Sequence, residues 1–230
     1  MGAYSNLNRP IVVVDYDSQW PSLFEQEKER LMATVVSYLP MVEHIGSTAV
    51  PGLAAKPIID IGIGIRSLED VSTLTPFIEK IDYVYEPALE QLLPERRFFW
   101  RGTPAIHTYH LHLAEADQPV LVRPLQFRDY LRKHPDEAAE YGALKKQLAK
   151  SCGQDMEAYV TGKTAFIESV MLRIEKENQS SVFLSKALIT EMKDRQLHKQ
   201  SGHGSSFFKP DGGIHTRNCE FSLPIIIRFG

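Results

Sequence analysis

The sequence predicts an α+β domain, with a mixed β-sheet, helices packed on one face of it and a helical C-terminal half. Three observations predict this. Residues 57–65, PIIDIGIGI, alternate isoleucine with Asp60, Gly62 and Gly64, as a strand with one apolar face does. Short β-branched and aromatic runs recur between residues 41 and 114. From Pro124 to Glu177 apolar residues recur at helical spacing instead.

Taken in order, IVVVDYD (11–17) reads as a short strand or extended arm. Ser18 then caps a helix reaching about Tyr38, with Trp20, Leu23, Phe24, Leu31, Val35 and Leu39 at helical spacing. MVEHI (41–45) is a strand that Gly46 ends, and PIIDIGIGI is the next. Ser67 and Asp70 make a capping-box pattern before a helix whose apolar face is Leu68, Val71, Leu74 and Ile78. YVYE (83–86), RRFFW (96–100) and YHLHLA (109–114) complete the strands. A helix begins at Pro124 and breaks at His134–Pro135; a second covers about 136–150 and a third about 155–177. Residues 11–178 thus form one domain. Residues 179–230, which include the Gly/Ser/His-rich HKQSGHGSSFFKPDGGIHTRN, read as a flexible C-terminal extension.

Composition narrows the class of function. With 230 residues, 43% of them hydrophobic, the chain can bury a core without disulfides. Cys152 and Cys219 lie far apart and lack metal-ligand spacing, which favours a reducing compartment. MGAYSNLNRP has no apolar secretory core, and no run approaches the length of a membrane span, so a cytoplasmic chain without a membrane partner is expected. A net charge of −3 argues against a general grip on nucleic acid.

Asp60 is the residue that asks for a function. Alternation puts Ile59, Ile61, Ile63 and Ile65 on one face, to pack on helices, and Asp60, Gly62 and Gly64 on the other. That second face has a carboxylate and no bulk, which leaves room for a ligand near the backbone. A buried carboxylate without a partner is costly, so Asp60 should meet a cation, a donor or water. A structural ion pair or a solvated sheet face would satisfy it equally well. The preceding turn, GSTAVPGLAAKP, offers Gly46, Gly52, the hydroxyls of Ser47 and Thr48, and Lys56. Freed backbone N–H groups, hydroxyls and an ammonium can hold a phosphate or carboxylate. The Gly-Lys-Ser/Thr element of a Walker A loop is missing, and a plain connection between strands needs turn residues too.

EHIGSTAVPGLAAKPIIDI resembles the signature of the GrpB family, a group within the nucleotidyltransferase (polymerase-β-like) superfamily. YDSQWPSLFEQE, RRFFWRG, YHLHLAE, FRDYLRKHPDEAAEYGALKKQLA and YVTGKTAFIE match further blocks in order, over roughly residues 11–175. The resemblance implies a nucleotidyltransferase-like fold. It also implies acidic residues that hold Mg2+ or Mn2+ against a nucleotide triphosphate. Gly46 and Ser47 match the superfamily turn and Asp60 the first acid, but Gly62 stands where the second acid belongs. Glu115 is the candidate third acid, although alternation groups it with Tyr109, Leu111 and Leu113, away from His110 and His112.

On this reading Asp60 and His112 are the candidate catalytic residues. Gly46, Ser47, Thr48, Lys56, Arg97, His110, Arg128 and Lys163 are the candidate ligand contacts. The two histidines could equally ligate a softer ion such as Zn2+. Lys145 and Arg96 read as surface salt-bridge residues, and FRDYLRKHP could be a structural lock in which Asp129 pairs with an arginine. The implied function is binding of a nucleotide or another phosphorylated small molecule, with possible nucleotidyl transfer. The rivals are a noncatalytic phospholigand-binding module and a transition-metal hydrolase built on His110 and His112 with Asp60, and His107 as an optional third histidine. Some relatives are fused behind a dephospho-coenzyme A kinase, but that activity needs the Walker A loop absent here.

Overall fold

The computed structural model describes residues 10–35 and 41–200, with residues 35 and 181–200 described by backbone alone. It divides into two compact units, one ending at Met171 and the other beginning at Leu172. The first holds helix α1 (Trp20–Val35), strands β1 (Met41–Ile45) and β2 (Ile59–Ile65), helix α2 (Val71–Glu79) and strands β3 (Val84–Tyr85), β4 (Arg97–Gly102) and β5 (His107–Glu115). Helices α3 (Pro119–Lys133) and α4 (Pro135–Cys152) follow, and then the start of α5 (Met156–Gln200). The described part of the second unit is the remainder of α5.

The strands form one mixed sheet in the order β1-β2-β5-β4-β3. β1 runs antiparallel to β2, β2 parallel to β5, and β4 antiparallel to both β5 and β3. Two strands far apart in sequence, β2 and β5, therefore lie side by side at the centre, with Asp60 opposite His110 and Gly62 opposite His112.

The isoleucine face packs as the alternation predicts. Ile59, Ile61, Ile63 and Ile65 join Leu111, Leu113 and Phe99 in a core closed by Trp20, Phe24 and Leu31 of α1 and Val71, Leu74 and Ile78 of α2. Each isoleucine is at most 3% exposed, and burial of such a side chain contributes about 1.5–3 kcal/mol. A buried polar cluster lies on the same side of the sheet. Glu27 of α1 accepts hydrogen bonds from Tyr83 at 2.9 Å and from Arg30 at 3.2 Å, and it pairs with Arg101.

The opposite face, which carries Asp60, is covered by the C-terminal half. A Cβ built on Gly62 would lie 3.1 Å from Ile45 Cγ2 and 3.3 Å from Leu121 Cδ2 of α3. The space beside Asp60 that the glycines leave is thus filled by the protein's own side chains here, rather than kept open for a ligand as the sequence suggested.

Of the two readings of residues 11–17, the extended arm is the one seen, held by an isolated bridge between Val14 and Ala55. Two element boundaries differ from expectation. Helix α3 starts at Pro119 and carries Pro124 inside its first turns. Proline lacks an N–H that the first turn would leave unpaired anyway, so Pro119 suits the start. Helix α5 continues to Gln200, past the end predicted near Glu177, over a segment without Gly or Pro to stop it. The remainder of the predicted flexible extension, residues 201–230, lies outside the described residues.

Candidate functional site

The site is built where β2 and β5 meet. Asp60 is 5% exposed, and its Oδ1 lies 3.2 Å from His110 Nδ1 and 3.1 Å from His112 Nε2. The parallel register makes this arrangement, since residues two apart on β5 share a face with Asp60 of β2. Burial pushes the Asp60 carboxyl up, but the bonds and charges of His110 and His112 outweigh it and hold the group well below the usual carboxylate range. Burial lowers His112 to about 4 despite Asp60. Asp60 is therefore the ionised partner and His112 a neutral donor through Nε2, which leaves His112 Nδ1 buried without a hydrogen-bond partner among the described residues. His107 Nδ1 lies 2.9 Å from His110 Nε2, and Trp100 stacks on His107 at 4.2 Å. Phe98 lies against both His110 and His112, at 4.9 and 5.3 Å.

The turn before β2 closes over the carboxylate. Gly46 has φ +72°, and a Cβ there would sit 2.6 Å from Asp60 Oδ2. Only glycine allows the chain to bend this way so close to the acid. Gly46 and Ser47 line a small cavity of about 10 Å³ with Phe127, Arg128 and Leu131. A larger groove of about 290 Å³ lies beside β1 and α1, lined by Phe24, Lys28, Glu43, His44, Arg128 and Arg132 among others.

Lysines converge on Asp60 from the C-terminal helices. Lys163 of α5 is 1% exposed and Lys145 of α4 is 2% exposed. Each ammonium sits 4.6 Å from a tyrosine ring, Tyr159 and Tyr141 respectively. Burial, with the charge of Lys56, lowers Lys163 to about 7, and Asp60 opposes the shift. Burial also lowers Lys145 well below its ordinary range, reinforced by the charges of Lys163 and Lys56, while Asp60 opposes the shift. Lys145 Nζ finds no hydrogen-bond partner among the described residues.

Lys145 was read from sequence as a surface residue, and the fold corrects that. A usable signal was present: Ala138, Tyr141, Gly142 and Lys145 occupy the i, i+3, i+4, i+7 stripe that α4 buries. His107, which entered the sequence reading only as an optional third histidine of the hydrolase alternative, lies beside His110, next to the β-bulge at Arg101 and Gly102.

Other sequence candidates lie elsewhere or have structural employment. Arg97 is opposite Leu113 on the isoleucine face, where it pairs with Glu90 at 3.2 Å. Glu115 falls on that same face, and its Oε1 accepts from Leu68 N at 3.4 Å. Thr48 is 1% exposed; its Oγ1 donates to the Ile58 carbonyl and lies 3.0 Å from His44 Nε2. Arg128 donates to Glu43 and to the His44 carbonyl and pairs with Asp129, so it ties α3 to β1, as the lock reading anticipated. Lys56 lies 5.9 Å over the Tyr159 ring, on the lysine side of the site.

The family described as "GrpB protein" matches residues 10–173. The chain belongs to the GrpB family. It is 39% identical over 161 residues to the YqkA protein of Bacillus subtilis, covering 70% of this chain and 46% of that one, so it spans about half the length of that relative. It is 38% identical over 169 residues to a Pseudomonas aeruginosa protein, PA4798, covering 71% and 67% of the two chains. Among solved structures it resembles the conserved protein GrpB from Enterococcus faecalis, with 38% identity, a TM-score of 0.66, and coverage of 73% of this chain and 99% of that one.

For this member of the GrpB family, the two-magnesium arrangement that the sequence resemblance implies meets a different set of residues. Magnesium wants an octahedron of oxygens, commonly from carboxylates and phosphates. Here Asp60 is joined by two imidazoles, Glu115 faces away, and the room for a carboxylate at Gly62 is taken by Ile45 and Leu121. The residues do not fit a pair of magnesium ions.

Proposed function

We propose that this GrpB protein binds a nucleotide or another phosphorylated small molecule, through the face that Asp60 shares with Lys56, Lys145 and Lys163. The observation that carries the reading is the Lys145 ammonium, buried without a hydrogen-bond partner among the described residues beside two further lysines whose charges it feels. A buried amine in that state costs stability, and a bound phosphate would supply the missing acceptor and counter-charge. Gly46 and Ser47 add a turn of the kind that offers backbone N–H groups to an anion. Asp60, Lys145 and Lys163 are each nearly fully buried, so entry requires the helical cover to part. That makes association slow relative to an open cleft.

Nucleotidyl transfer with magnesium is slow or absent on this reading, because the acid pair is missing. A thermal-shift screen of nucleotides and coenzyme A precursors, with and without Mg2+ and Mn2+, tests the proposal. A phosphorylated compound should raise the melting temperature of the wild type and raise it less in Lys145→Met. A screen in which unphosphorylated analogues protect as well as their phosphorylated forms would sink it. Brisk magnesium-dependent turnover would instead restore the catalytic reading.

A further inference from the structure

We propose that Asp60, His110 and His112 form a binding site for a single zinc-class transition-metal ion. Asp60 Oδ1, His110 Nδ1 and His112 Nε2 all lie within 4.8 Å of one another, with the carboxylate oxygen 3.2 and 3.1 Å from the two nitrogens. Zinc bonds of about 2.0–2.1 Å at tetrahedral angles put neighbouring ligand atoms roughly 3.3 Å apart. The carboxylate oxygen is therefore already at the spacing of a coordination shell from each nitrogen. Two imidazoles and one carboxylate also form a donor set suited to a borderline-soft ion rather than to magnesium.

The register explains how such a site arises on this sheet. The rung of β2 and β5 that lacks a second acid, at Gly62, carries His112 on the neighbouring strand. An oxygen donor on one strand is thus exchanged for a nitrogen donor on the next. His107 acts as a positioning residue. Its Nδ1 lies 2.9 Å from His110 Nε2, so it can accept the Nε2 proton when His110 Nδ1 carries the metal. Trp100 stacked on His107 and Phe98 packed on both ligating rings fix their orientation. This inference does not depend on the phospholigand reading, since metal content is measured without nucleotide.

The test uses the untagged full chain, stripped with a chelator and then offered Zn2+, Co2+ or Mg2+ separately. Bound metal is counted by mass spectrometry after desalting, and the Co2+ form is read by its visible absorption. One equivalent of Zn2+ or Co2+ per chain is expected, with little Mg2+ retained. Asp60→Asn and His112→Ala, each shown to be folded by circular dichroism, should lose the equivalent. His107→Ala should weaken zinc affinity by about tenfold or more and shift the Co2+ spectrum, which a purely structural role would not do. Absence of any stoichiometric zinc or cobalt in the wild type overturns the proposal, and so does full retention by folded Asp60→Asn and His112→Ala.

Discussion

Replacing Lys163 by methionine should make the protein more stable while weakening its grip on a phosphorylated ligand. Methionine fills a similar volume and removes an amine that burial has pushed from 10.5 to about 7. The sign follows from proton linkage. The folded state releases the proton near pH 7, whereas the unfolded chain holds it until about 10.5, so raising the pH between those values favours folding. The penalty is full below pH 7, shrinks as pH rises, and disappears above 10.5. A shift of this size corresponds to about 4 kcal/mol near pH 7 and about 2 kcal/mol near pH 9. Urea unfolding at pH 7 and pH 9 reads both numbers. Wild type should gain about 2 kcal/mol across that interval through this residue, and Lys163→Met should lose that gain while being more stable at pH 7. Equal stability of the two proteins at pH 7, together with parallel pH slopes, would refute the view that Lys163 is held buried at a cost. A more stable variant that binds the screened ligand as tightly as wild type would instead remove Lys163 from the binding face.

Three further outcomes follow from the geometry. Gly46→Ala should cost about 1–3 kcal/mol in backbone strain alone, since φ is +72° and the new Cβ would meet Asp60 Oδ2 at 2.6 Å; thermal melting checks it. Glu27→Ala should cost about 3 kcal/mol by urea unfolding, because it strips Tyr83, Arg30 and Arg101 of their shared acceptor in a buried cluster. Arg97→Ala should leave ligand-induced thermal shifts unchanged, because Arg97 pairs with Glu90 on the far face of the sheet.

What the sequence determined by itself was what depends on near neighbours along the chain. The alternation in IDIGIGI is enough to separate an apolar face from the one bearing Asp60, because successive side chains of any strand point to opposite sides. MVEHI matches β1 residue for residue, since a run of strand formers ended by Gly46 needs no tertiary help to be recognised. The same parity rule placed Glu115 away from His110 and His112, and the sheet keeps it there.

What only the tertiary structure decided was which distant residues meet. The order β1-β2-β5-β4-β3, with β2 and β5 parallel, brings Asp60 to His110 and His112 across fifty residues of chain, and no local pattern encodes that choice of neighbour. Whether Gly62 opens a floor or is filled depends on where Leu121 of α3 comes to rest. Lysine on a helix is ordinarily solvated, so Lys145 looked like surface until the fold put that face of α4 inside. Burial is a property of the assembled layers, and the charges it traps beside Asp60 turn an ordinary strand and two ordinary helices into a candidate site.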